Sequence, residues 1–260
     1  MNEESLIKYY NKFNEDKRLD RRHGIVEFTT AIKYIEYYLS NMRNPKILDV
    51  GAGTGKYSIY LSNKGYDVTA IELVKHNLKT LQIKNNKIKS YLGNALDLSR
   101  FKDESFDFIL LFGPMYHLIN DDDKLKALME AKRVLKNNGI IMISYLMNEY
   151  AVLKYGFMEN NIIKSINNKE LDNNYHITPK NTDLYSMVRL DDINYLKKMA
   201  RLKRIKILAQ DGPTDYIRPI INKMSIDVFN EYIKYHLSIC ERKELLGASS
   251  HILDILKKEA

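Results

Sequence analysis

The chain contains one cysteine, Cys240, in 260 residues, which excludes an intramolecular disulfide framework. It also lacks an apolar run long enough for a membrane span. The longest runs, around 106–119 and 140–147, are interrupted by Asp107, Gly113 and His117 or are short of the ~18 residues a spanning helix calls for. The start MNEESL is acidic and carries no apolar signal region, so the expected setting is the reducing cytoplasm. Internal repeats and low-complexity linkers are missing too. Cys240 and the histidines at 23, 76, 176, 236 and 251 show no metal-ligand spacing, so no metal is expected.

What is present is apolar content of 45%, ample for a buried core. The formal charge of +8 would suit a nucleic acid or an anionic small molecule. The lysines responsible are dispersed through a chain rich in Lys, Asn and Ile, which disfavours a nucleic-acid partner.

From Pro45 to Tyr145 short β-rich runs alternate with helical segments, the pattern of a parallel sheet with crossover helices. The strands expected are 46–50, 67–72, 88–92, 106–112 and 139–145, with helices at about 56–63, 74–83 and 121–136. Residues 1–44 read as two helices forming an N-terminal lid. Segments 146–189 and 213–247 read as cap insertions, the second with a helix over 224–239. Segments 190–212 and 248–260 complete the sheet, with a helix over 191–200 and strands over 204–210 and 251–257. The whole is expected to be one α/β domain, a Rossmann-like sheet with helices on both faces, a core over 45–145 and a helical cap in three separated pieces.

The stretch DVGAGTGKYS, from Asp49 to Ser58, follows the first strand. A triphosphate loop needs four residues between its glycines and a hydroxyl after its lysine. Here three residues separate Gly51 from Gly55, and Tyr57 follows Lys56. A dinucleotide loop needs G-x-G-x-x-G, whereas the third glycine here comes one residue early. Asp49 at the strand tip would repel a pyrophosphate and would suit a ligand bearing an ammonium and a sulfonium. S-adenosylmethionine fits that description.

The run from Lys46 to Tyr145 resembles a class I S-adenosylmethionine-dependent methyltransferase. DVGAGTG resembles its first motif, IEL ending at Leu73 the acidic second, GNALDL the adenine-side loop, and FDFILLFGPMYHL the fourth strand with its exit. The flanks RLDRRHGIVEFTTAIKYI and ERKELLGASSHILDILKK, with GPMYHL, resemble a group of bacterial methyltransferases that act on small molecules, which extends the likeness over nearly the whole chain. The resemblance implies that Gly51, Ala52, Gly53 and Gly55 approach the methionine half of the cofactor and that Asp49 holds its amino group. Glu72 would accept the ribose hydroxyls, Leu73 would pack on the adenine, Asn94 and Ala95 would read its edge, and Phe112 would line the same site.

His117 and Tyr116 leave the fourth strand at its C-terminal end, where ligands bind in open parallel sheets. His117 is therefore the candidate base or substrate orienter, with Tyr116 beside it; a helix-start histidine bonding backbone is the alternative. Tyr9 and Tyr10 could close a lid, and Arg18, Arg21 and Arg22 could face an anionic acceptor. The acceptor expected is a small molecule, with an anionic or an aromatic one both compatible. Methylation of RNA or protein is the second reading, and a nucleotide-dependent oxidoreductase or a non-catalytic regulator the third. Nothing in the sequence bears on oligomeric state or on the atom methylated.

Overall fold

The computed structural model describes residues 3–10, 19–180 and 183–259. Strand β1 (Lys46–Val50) alternates its side chains between two cores, Ile47 to one and Leu48 and Val50 to the other. The same alternation recurs in β4 (Phe106–Leu111), where Phe108 and Leu110 face one way and Ile109 and Leu111 the other. A strand buried on both faces is a continuous apolar run of this kind.

In chain order the elements begin with α1 (Glu3–Tyr10) and α2 (Arg22–Leu39). Then come β1, α3 (Lys56–Asn63), β2 (Asp67–Glu72), α4 (Lys75–Lys84), β3 (Lys89–Leu92), β4 (Phe106–Leu111), α5 (Asp121–Val134) and β5 (Leu135–Leu146). The segment after β5 holds α6 (Asn148–Ala151), a π-helix over Val152–Met158 and α7 (Ile162–Asn167). The chain continues through α8 (Leu190–Met199), β6 (Lys203–Ala209), α9 (Arg218–Ile221), α10 (Ile226–Ile239) and β7 (His251–Lys257).

Seven strands form one sheet in the order β3-β2-β1-β4-β5-β7-β6. The first five pair in parallel, while β7 runs antiparallel between β5 and β6. Crossing from β3 outward to β4 inward reverses the winding beside β1, and the loops at the C-terminal strand ends diverge there. That divergence opens a crevice suited to ligand binding. Among the described residues no helix is long and apolar enough to cross a membrane.

Local chemistry sets most of the boundaries. Asn120 caps α5, its side chain accepting from Asp123 N at 2.7 Å, and Asp121, Asp122 and Asp123 lie where the helix dipole favours negative charge. The helix ends two residues earlier than the sequence suggests, and β5 starts at Leu135 instead of Gly139. The cause is pairing: Leu135 lies opposite Phe106, and an irregularity through Asn138, at φ 64°, brings Ile140 opposite Phe108. A β-bulge of this kind adds residues to one strand without losing the ladder.

The antiparallel end of the sheet carries a buried charge. Asp254 on β7 is fully buried and accepts from Arg204 of β6 through Nε at 2.7 Å and Nη2 at 2.9 Å. Burial raises the Asp254 pKa, against the hydrogen bond and charge of Arg204. Removing one partner of such a pair strands the other charge. Arg204→Ala should lower stability by about 3–5 kcal/mol in denaturant unfolding, and Arg204→Ala with Asp254→Leu should recover most of it. A loss within 1 kcal/mol for the single variant would contradict this assignment.

Candidate active site

The glycine loop is fastened to the neighbouring strand before it meets any ligand. Gly51 N and Ala52 N both donate to Ile71 O, at 2.8 and 3.0 Å. Gly51 sits at φ 76°, and a Cβ there would fall 2.7 Å from Pro114 Cδ. Gly55 sits at φ 89°, where a Cβ would fall 2.7 Å from Leu81 Cγ. Both conditions favour glycine strongly. Gly51 thus closes on the exit of β4, whereas Gly55 packs against α4 and lines neither compartment of the cleft. The close approach expected of Gly55 is accordingly to the protein itself, because the turn into α3 directs it away from the cleft.

The cleft has two compartments. They share Gly51, Gly53, Gly113 and Tyr116 as lining. Glu72, Leu73, Asn94, Ala95 and His117 lie on the first side only. Asp49, Ala52 and Phe112 lie on the second. Eleven of the twelve residues expected to bind the cofactor or act in transfer therefore line one crevice, with Gly55 the exception.

A buried carboxylate stands in each compartment. Glu72, 5% exposed, accepts from Gly53 N at 2.7 Å on one oxygen and from Val74 N at 2.8 Å on the other. Burial raises its pKa to about 7, opposed by the bonds from Val74, Gly53 and the Asn77 side chain and reinforced by the charge of Asp49. Asp49, 3% exposed, accepts from Ser58 Oγ at 2.6 Å. Burial raises its pKa to about 6 against those Ser58 bonds. Two desolvated acids without a cationic partner among these contacts are poised for a ligand that brings hydroxyl donors to one and positive charge to the other. The chemistry of the donor set fits S-adenosylmethionine, which carries a ribose diol at one end and an ammonium at the other.

Asn94 accepts from Leu96 N at 2.9 Å through its side-chain oxygen, an Asx turn that shapes the loop after β3. His117 is buried, and its Nδ1 lies 2.8 Å from Leu184 O. A carbonyl can only accept, so Nδ1 carries the proton and Nε2 of the neutral ring accepts from Tyr10 Oη at 2.8 Å. His117 thereby joins α1 to the segment before α8. The backbone-bonding alternative is realised at Nδ1, while Nε2 lies beside the cleft with a hydroxyl on it. Tyr185 lies 5.1 Å from the imidazole, and Tyr9 packs on both Tyr10 and Tyr185.

The arginines behave differently from expectation. Arg21 is exposed, and the Arg22 guanidinium lies 5.3 Å from the ring centroid of Phe229 on α10. Neither lines the cleft, and Arg18 falls outside the described residues. Several lining residues escaped the sequence reading. Asn77 bonds Glu72 from the first turn of α4, and its place five residues after an acidic strand end is the only hint the sequence offers. Glu27 from α2 lines the second compartment with nothing in its neighbourhood to announce it. The structure also draws Glu27, Asp211 and His251 together, their ligand atoms within 4.8 Å of one another, although no spacing in the sequence relates them.

Comparison with known proteins agrees with this geometry. Residues 48–143 match a family described as a methyltransferase domain. A ubiquinone biosynthesis O-methyltransferase of Rickettsia typhi is 26% identical over 167 residues, 61% of this chain and 66% of that protein. A demethylmenaquinone methyltransferase of Staphylococcus aureus is 33% identical over 141 residues, 50% of this chain and 56% of that one. The matches thus span about half to two thirds of these relatives' length.

Among solved structures, a SAM-dependent methyltransferase of Methanosarcina mazei superposes with a TM-score of 0.59 at 18% identity, covering 87% of this chain and 97% of its own. The 1,6-didemethyltoxoflavin-N1-methyltransferase of Burkholderia thailandensis, solved with its substrate and S-adenosylhomocysteine, gives 0.53 at 15% identity over 89% and 76%. The sheet order, the glycine loop and the matched segment together define a class I S-adenosylmethionine-dependent methyltransferase fold. Residues 48–143 are the part of that fold that matches the methyltransferase-domain family.

The raised pKa values set a pH dependence whose sign is fixed. Between their ordinary values near 4 and their raised values of about 6 and 7, the folded protein keeps protons that the unfolded chain has lost. Stability without ligand therefore falls as pH rises through that window. A ligand that donates to these carboxylates binds their ionised forms, so it stabilises more at higher pH. The rise in Tm produced by S-adenosylhomocysteine should be larger at pH 7.5 than at pH 5.5; an equal or smaller rise at pH 7.5 would contradict the pairing of ligand and acids.

Proposed function

We propose that the protein transfers the methyl group of S-adenosylmethionine to a small-molecule acceptor by direct displacement. The observation that carries this reading is the two-compartment cleft with a buried, charge-starved carboxylate in each half, joined at Gly51, Gly53, Gly113 and Tyr116.

The cofactor supplies a methyl group made electrophilic by a sulfonium. The chain's residues bind, orient and exclude water. Glu72, its lower lone pairs held by backbone N–H groups, accepts the ribose hydroxyls; Asp49 takes the ammonium. Leu73 and Ala95 flank the adenine, with Asn94 at its edge, and Phe112 closes the amino-acid side against Tyr57, whose ring lies 4.9 Å away. Displacement at carbon requires the nucleophile in line with the methyl and the sulfur, and fixing that line is where such a protein gains most of its rate.

Helix α1 and the insertions after β5 and before β7 act as the cap that keeps water out. Tyr10 and His117 form its latch, and Tyr116 and His117 stand where the acceptor meets the methyl. Tyr10, Tyr116 and Tyr185 around that point favour an acceptor with an aromatic ring. Arg21 and Arg22, away from the cleft, lend no support to an anionic one. No observation favours RNA or protein methylation, or nicotinamide chemistry, over this reading.

The test is a transfer assay. The purified protein is incubated with S-adenosylmethionine labelled in its methyl group and a pooled extract of small metabolites. Labelled product and S-adenosylhomocysteine should form together and stop in Glu72→Ala, which should bind S-adenosylhomocysteine at least tenfold more weakly. Tight binding with no turnover in any fraction would leave a regulator instead of an enzyme, and binding of NADH in preference to S-adenosylhomocysteine would overturn the cofactor.

A further inference from the structure

Three stretches that stand apart in the sequence meet at one point. Glu27 comes from RRHGIVEFTT on α2, Tyr116 from GPMYHL after β4, and His251 from GASSHILDI at the start of β7. The fourth member, Asp211, follows β6. Its turn is held by Gly212 at φ 56°, where a Cβ would lie 3.2 Å from His236 Nδ1.

Asp211 is buried, and its two oxygens are surrounded by donors. His251 N at 2.8 Å and Ser249 Oγ at 3.0 Å reach Oδ1; Ser250 Oγ and His251 Nδ1, both at 2.6 Å, reach Oδ2. A carboxylate offers about four lone-pair directions; His251 N, Ser250 Oγ and His251 Nδ1 take three of them, while the one Ser249 hydroxyl proton is shared between Oδ1 at 3.0 Å and His251 O at 2.5 Å. Burial alone would raise the Asp211 pKa, but the His251 charge and the hydrogen bonds from His251 and Ser250 outweigh it and leave the carboxyl below its ordinary value. Asp211 is thus an ionised acceptor beside the charged ring, and in the neutral ring it holds the proton on Nδ1, which puts the basic lone pair on Nε2.

The ring so fixed stands next to two residues that line the cleft. The Glu27 carboxylate lies within 4.8 Å of the dyad's atoms and lines the compartment that contains Asp49. The ring of Tyr116, which lines both compartments, has its centroid 6.3 Å from that of His251.

Resting on the methyl-transfer reading above, we propose that His251 is the proton acceptor of the reaction, oriented by Asp211, and that the acceptor is a molecule whose nucleophile carries a removable proton, a hydroxyl or an amine N–H. The heteroatom lone pair forms the new bond to the methyl carbon as the carbon–sulfur bond breaks. The sulfur keeps that pair as a neutral thioether, and the heteroatom's proton passes to Nε2. Asp211 stabilises the imidazolium formed, a positioning role that requires no proton of its own.

Histidine ¹⁵N resonances of the full chain, assigned with His251→Gln, test this without the acceptor. The neutral His251 ring should be the Nδ1–H tautomer, and Asp211→Asn should abolish that preference. An Nε2–H tautomer in the wild type overturns the proposal, as does a tautomer ratio unmoved in Asp211→Asn. So does broadening of the His251 signals by micromolar manganese(II), which would mark a cation site. If Asp211→Asn fails to fold, the wild-type tautomer and the manganese response decide alone.

In the transfer assay His251→Gln should lower kcat by about 10²–10⁴-fold while S-adenosylhomocysteine binding stays within twofold; retention of turnover within threefold overturns the assignment. A wild type that binds S-adenosylhomocysteine without any transfer would count against the function proposed above, and the tautomer would still decide the dyad.

Discussion

The Glu72 carboxylate ties the glycine loop to the end of β2, and the rest of the cleft follows from that tie. It receives Gly53 N from the loop and Val74 N from the entrance to α4, so three separate pieces of chain converge on one buried charge. The backbone N–H groups lower the cost of burying it but leave its pKa at about 7. Such a carboxylate is a liability for stability and an asset for binding, because any ligand that supplies further donors relieves the desolvation it carries. Asp49 repeats the arrangement at the other end with a single serine for company.

The topology explains why both acids can be buried at one place. Winding reverses beside β1, so the loops after β1 and β4 separate and the crevice opens over the sheet edge between them. Pro114 closes on Gly51 from the β4 side, which fixes the distance between the cofactor loop and the segment bearing Tyr116 and His117. The later elements of the sheet then carry Asp211 and His251 to the same rim.

Much of the fold was legible in the sequence because its evidence is local. The spans of β1, β2, α3 and β7 follow from alternation and from glycine or charged residues at their ends, and the glycine count of the loop separated it from the phosphate loops. The start of β5 was misread because Leu135 is recruited by Phe106, a partner 29 positions away that no local pattern reveals. The strand-end residues of the cleft, Asp49, Glu72 and Asn94, were equally accessible. The surroundings of the two histidines were not: Tyr10 and Leu184 reach His117 across 107 and 67 positions, and Asp211 meets His251 across 40. His251 carried no mark of its own in the sequence, and only the antiparallel return of β7 gives it a carboxylate.

The central claim is that the cleft binds the cofactor in one orientation, nucleoside toward Glu72 and amino acid toward Asp49. Affinities of S-adenosylhomocysteine and of 5′-methylthioadenosine, which lacks the amino-acid group, measured for wild type, Asp49→Asn and Glu72→Ala test it most directly. The account predicts that Glu72→Ala weakens both ligands, whereas Asp49→Asn weakens S-adenosylhomocysteine and leaves 5′-methylthioadenosine nearly unchanged. Equal losses for both ligands in Asp49→Asn, or the reverse pattern, would contradict it.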